Sequence, residues 1–218
     1  MTCLDYTALN SASPQKPYVP YNRRLVYGIG RNDHTAPVMV EGKIIKSYDL
    51  WHSMLSRCYS ASYQKKQPTY IGCSVAEEWL LFSNFEKWFT ENYFEGAALD
   101  KDILLPGNKI YSASTCVFIP RALNNLLLDH RSARGEYPLG VCFRKSSQKY
   151  LSQINTVEGH RHLGCFTTAL EAHKAWQVAK VASIEAAETN NPRVRAALNR
   201  QATQIKDDHT HGRITTSL

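Results

Sequence analysis

The apolar residues change their spacing along this chain, and that change limits the folds open to it. In "SYDLWHSMLSRCYS", residues 47–60, Leu50, Trp51, Met54, Leu55 and Cys58 fall on one helical face. Ser47 and Asp49 are its candidate N-caps. In "YIGCSVAEEWLLFSNFEKWFTEN", residues 70–92, a turn or strand leads into a second helix. There Trp79, Phe82, Phe85, Trp88 and Phe89 form an aromatic stripe. The stripe has the spacing of a single buried face, which points to core rather than to a surface that stacks bases. After residue 138 the period shortens. "LGVCFRK", "KYLSQINT" and "HRHLGCFT" read as three short strands of a meander. A helix follows from Thr167 or Thr168 to about Glu188, opened by a Thr168–Glu171 capping box. Its small face, Leu170, Ala172, Ala175, Trp176, Ala179 and Ala182, suits close packing on a sheet.

Between the two regimes lies "ALDKDILLPGNKIYSASTCVFIPRALNNLLLDH", residues 98–130. It reads as strand, exposed turn, strand and then a helix with Pro120 near its first turn. The chain is therefore expected to be α+β. A helical N-terminal region with a strand–loop–strand–helix unit precedes a small three-stranded antiparallel sheet packed on one helix. The expected divisions are a leader over 1–24, a first domain over 25–130, a linker over 131–138, a sheet-and-helix domain over 139–189, and a basic polar tail over 190–218. "LVYGIGRND" reads as a short strand and a Gly-rich turn, without the glycine spacing or Gly-Lys-Ser/Thr of a phosphate loop. In the tail, "PRVRAALNRQ" reads as a short basic helix and the rest as frayed.

The formal net charge of +7 favours an anionic partner. Between residues 130 and 165 six Lys/Arg face two Glu, with three histidines besides. Those charges fall on short strands, where alternation leaves one face of the sheet wholly polar. The six cysteines lack C-x-x-C pairing, which argues against structural zinc, and no signal peptide points to a disulfide framework. No apolar run approaches the ~20 residues of a membrane span.

Two resemblances attach to these segments. "GVCFRKSSQKYLSQINTVEGHRHLGCFTTALEAHKAW" resembles the APETALA-type, or ethylene-response-factor, DNA-binding domain. The match rests on Gly140-Val141, Lys149-Tyr150, Ile154, Leu163-Gly164-x-Phe166-x-Thr168, Glu171-Ala172 and Trp176. It implies a sheet that reads the DNA major groove, with Arg144, Lys145, Lys149, Gln153 and Arg161 facing double-stranded DNA. Cys142 stands where that family has an arginine, and His162 where it has an aromatic residue.

"LDKDI…GNKIYSASTCVFIPRALNN" resembles the phage branch of the HNH, or ββα-metal, nucleases. That resemblance implies a divalent ion, Mg²⁺ or Mn²⁺, held by Asp100 and by Asn124, 24 residues on, with Asn125 the alternative. Thr115 falls where a loop-bracing Asn is common. Lys101 occupies the place of the general-base His. An ordinary lysine is protonated at neutral pH and cannot take a proton from water. Asp102 then serves as base or second ligand, or His130 or His34 folds in from elsewhere, or the unit has lost cleavage. A salt-bridged turn without metal is the structural alternative for "DKD", and Glu77 and Glu78 read as solvent-facing.

Taken together, residues 25–185 resemble phage proteins read as homing endonucleases. The implied location is the cytoplasm of an infected bacterial host. A non-catalytic sequence-specific DNA-binding protein is the main alternative, and an RNA-binding or host-takeover protein the third.

Overall fold

The computed structural model describes residues 23–128 and 135–217. The leader up to residue 22, His130 and the first half of the expected linker, 131–134, lie outside these residues. The fold is α+β, with several small sheets set among helices.

A hairpin of β1 (Met39–Val40) and β2 (Lys43–Ile44) precedes α1 (Lys46–Tyr59) and α2 (Ala61–Lys66). Residues 25–31 form a turn rather than the expected strand: Val26 bridges Gly30, and Arg31 bridges Leu81. Gly30 lies close over α1, where a Cβ would stand 2.3 Å from the Leu55 side chain and force it to shift. The expected apolar face of α1 is buried through Trp51, Met54, Leu55 and Cys58. Its N-cap, however, is Ile45, without a side-chain hydrogen bond. Ser47 turns its hydroxyl to Glu86 instead, at 3.0 Å.

β3 (Ser74–Val75) pairs in parallel with β5 (Ile110–Tyr111). A 3-10 turn, Glu77–Leu80, and α3 (Phe82–Asn92) together carry the aromatic stripe inward. Trp79, Phe82 and Phe85 are buried, and Trp88 and Phe89 pack against the same cluster. The stripe is core, as its spacing predicts.

β4 (Ala97–Asp100) and β6 (Val117–Pro120) form an antiparallel pair, and α4 (Arg121–Leu127) follows directly. β6 is buried on both faces. Phe118 stacks on Trp88, with ring centroids 5.0 Å apart, while Val117 and Ile119 join a second core with Leu123 and Leu126.

The three-stranded sheet runs β7 (Val141–Arg144), β8 (Lys149–Thr156), β9 (Gly159–Phe166), all antiparallel. α5 (Ala169–Ala186) opens with the expected capping box. It lies so close to the sheet that a Cβ on Gly140 would fall 1.9 Å from the Trp176 ring. The buried face of α5 differs from the small-residue face expected. Ala172 and Trp176 are buried, but so are His173, Gln177, Lys180, Val181 and Ile184, while Leu170 is exposed.

The reason is the C-terminal segment. The region expected as a tail is α6 (Pro192–Thr210), capped by Asn191 and packed along α5. Val194, Ala197, Leu198, Ala202 and Ile205 enter the same core as Ile103, Val117, Ile119, Leu123 and Leu126. One apolar core thus crosses the expected division between the two halves. Arginines of α6 serve it as clamps: Arg193 donates to the Ser114 carbonyl, and Arg200 to the Leu104 carbonyl at 3.0 Å. Lys180 donates to the Leu126 carbonyl at the C-terminal end of α4, where a positive charge offsets unpaired carbonyls.

Candidate nucleic-acid interface and the acidic loop

Strand pairing decides which side chains share a face of the β7–β9 sheet, because directly opposed residues project the same way. One face packs on α5. Ile154 lies there with Leu139 and Trp176, and Leu163, the extra residue at a bulge in β9, packs against them. The other face carries four rows. Arg144 opposes Lys149; Cys142, Leu151 and Cys165 form the next row; Gln153 opposes His162; and Asn155 opposes His160. Arg144, Lys145, Lys149, His160 and His162 are exposed, and Gln153 is half-buried. Lys145 sits in the turn between β7 and β8, its carbonyl bonded by Gln148 Nε2 at 2.9 Å.

The register separates one residue from the expected set. Arg161 opposes Ile154 and so belongs to the row on the helix side, although it is exposed at the sheet edge. The bulge moves the alternation of β9 by one, and His160 and His162 take the places on the open face. His160 Nδ1 lies 3.1 Å from Asn155 Oδ1, and His162 Nε2 lies 3.9 Å from Cys165 Sγ. The bulge gave no sequence signal beyond the pair Leu163-Gly164.

The acidic loop leaves the end of β4. Asp100 Oδ1 accepts from the backbone N–H of Asp102 at 2.8 Å and of Ile103 at 2.7 Å. Burial raises the Asp100 carboxyl above its ordinary range, and these two hydrogen bonds offset part of that rise. Lys101 points inward and is 8 % exposed. Its Nζ lies 2.5 Å from Asp102 Oδ1, donates to the Asn108 carbonyl at 2.9 Å, and stands 5.9 Å from the centre of the Tyr111 ring. Asn108 closes the loop from the other side. Its Nδ2 donates to the carbonyls of Lys101 and Ile110, and its Oδ1 accepts from Ile110 N–H. The loop-bracing residue is therefore Asn108 of the Gly-Asn turn. Thr115 braces a neighbouring turn through the Ile110 carbonyl at 2.7 Å.

Below the loop lie buried thiols. Burial pushes both Cys58 and Cys116 up to about 12, so each is a neutral packing group. His34 is engaged with Glu86 at 2.7 Å and packs on Phe82. Glu77 and Glu78 are exposed, as expected.

As a metal site the loop is thin. Among the described residues no group of three His, Cys, Asp or Glu side chains is placed to hold an ion. Asp100 spends one oxygen on backbone donors, and Asp102 faces the Lys101 ammonium. Asp100 Oδ2 and the half-buried Asn124 on α4 remain as candidate donors. Two oxygen donors are too few for a protein cage, and water or phosphate would have to fill the rest of any cation's shell.

Comparison with protein-family models, with curated proteins and with solved structures gives no match. Among the described residues no helix is long and apolar enough to cross a membrane.

Proposed function

We propose that this chain binds double-stranded DNA through the open face of the β7–β8–β9 sheet. The observation that carries the reading is the pairing of Arg144 with Lys149, both exposed, beside exposed Lys145 and two exposed histidines and with no carboxylate in the rows of that face. Cations on a sheet face neutralise phosphates, and the alternating side chains between them reach base edges. The test is duplex binding by fluorescence anisotropy across a salt series. Arg144→Ala and Lys149→Ala should each weaken binding and reduce the salt slope by about 1. Equal binding by wild type and both variants at every salt concentration would sink the reading.

A second reading, a divalent-dependent endonuclease of the homing type, is favoured by the antiparallel β4/β6 pair followed directly by α4, with Asp100 at the first strand's end and Asn124 on the helix. There Asp100 and Asn124 would hold Mg²⁺ or Mn²⁺, which polarises a phosphate when bound. Lys101, turned inward onto Asp102 and Asn108, supports the loop's shape rather than proton abstraction. Duplex cleavage that requires Mg²⁺ or Mn²⁺ and is abolished by Asp100→Ala would establish this reading over simple binding. Intact duplex with every divalent ion would remove it.

A further inference from the structure

The open face is not chemically uniform. Its cations gather at the β7–β8 turn, where Arg144, Lys145 and Lys149 stand together. Toward the other end it carries neutral polar groups: Gln153 opposite His162, then Asn155 opposite His160. Between them lies the row of Cys142, Leu151 and Cys165, in which Leu151 is buried and its two flanking side chains are short. The two ends are suited to different tasks. Ammonium and guanidinium groups neutralise phosphates, whereas a carboxamide, with one acceptor and two donors, matches a base edge.

The two carboxamides differ in availability. Asn155 Oδ1 is engaged by the His160 ring. The Gln153 side chain makes no hydrogen bond among the described residues and is half-exposed on the open face. Its backbone N–H bonds to the Gly140 carbonyl at 2.8 Å, which fixes the strand at that point. A carboxamide held on a rigid strand, with both its donor and acceptor open, pairs with the N6 and N7 atoms of adenine in the major groove. Along β8, four residues at ~3.3 Å each separate Gln153 from Lys149 by about 13 Å, close to four base-pair steps.

We propose that Gln153 reads an adenine in the major groove, about four base pairs from the position held by Arg144 and Lys149. The inference rests on the sheet being the DNA interface.

The test is selection of bound duplexes from a randomised pool by the full-length wild type, by Gln153→Ala and by Gln153→Glu. Circular dichroism melting confirms that the variants fold. Wild type should enrich one fixed A·T pair, preferred about 5- to 150-fold over other bases. Gln153→Ala should lose preference at that position alone. Gln153→Glu should exchange adenine for cytosine there, because a carboxylate accepts from cytosine N4. An unchanged motif in Gln153→Ala, or affinity lowered equally for all sequences, overturns the assignment. Duplex binding by wild type without sequence preference also overturns it and leaves the interface reading standing. Failure of wild type to retain any duplex overturns both.

Discussion

Lys101 carries its charge inward, and its neighbours show what that charge is for. The ammonium joins Asp102 to the Asn108 carbonyl, and Asn108 returns a bond to the Lys101 carbonyl. Lys101→Met keeps the stem's bulk and strips both polar partners of their donor. It should destabilise the protein by about 1–3 kcal/mol in urea unfolding. A loss under half a kcal/mol would mean that the loop holds its shape without the ammonium. Asp100 answers to the opposite logic. Asn in its place still accepts from the Asp102 and Ile103 N–H groups but removes a charge that burial disfavours. Asp100→Asn should melt at or above the wild-type temperature at pH 7; a clear fall would show that the charge itself holds the loop. The aspartate at the strand's end was legible from sequence. The Lys101–Asp102 pair of the salt-bridged turn was legible as the alternative reading of "DKD"; the lysine's second partner, a backbone carbonyl seven residues away, was not, because no side-chain pattern reports it.

Two elements show how the pattern of a segment can be read or missed. "CVFI" is a continuous apolar run because β6 faces the aromatic core on one side and the α5–α6 core on the other, as strands covered on both faces do. α6 was missed beyond its first ten residues. Its buried positions, Val194, Ala197, Leu198, Ala202 and Ile205, do recur at helical spacing, but two are alanines in a segment dominated by charge and amide. Those charges suggested a solvated tail, whereas Arg193 and Arg200 are clamps onto loops of the first half. Leu198 is fully buried, so Leu198→Ala should cost about 2–5 kcal/mol. A change within half a kcal/mol of wild type would show that α6 is not part of the cooperative fold.

At the scale of the molecule, the shared core predicts one unfolding transition rather than two. Trp51, Trp79 and Trp88 report on the aromatic core, and Trp176 on the sheet and α5. Fluorescence of a Trp176→Phe variant and far-UV circular dichroism should give the same midpoint; separated midpoints would mean independent halves. Acid should loosen the C-terminal end. Burial alone would raise the Asp208 carboxyl, but hydrogen bonds from Thr215, Arg213 and Gln204 outweigh it and hold it below its ordinary range. The stability this contributes is present above an ordinary carboxylate pKa of ~3.9 and is lost as pH falls through the lower folded value. The melting difference between wild type and Asp208→Asn should therefore be full at pH 6 and shrink as the pH falls below about 4. A difference independent of pH would contradict the assignment.

The strand that faces two cores also sets a timetable. Ile103, Val117 and Ile119 are made long before α6, the helix that completes their cover. At ~5–20 residues per second, the roughly ninety residues between Ile103 and Pro192 take about 4–18 s to synthesise. For that interval the nascent chain carries an open apolar face. A messenger that stalls or breaks within this window should yield an adhesive fragment rather than a smaller working protein.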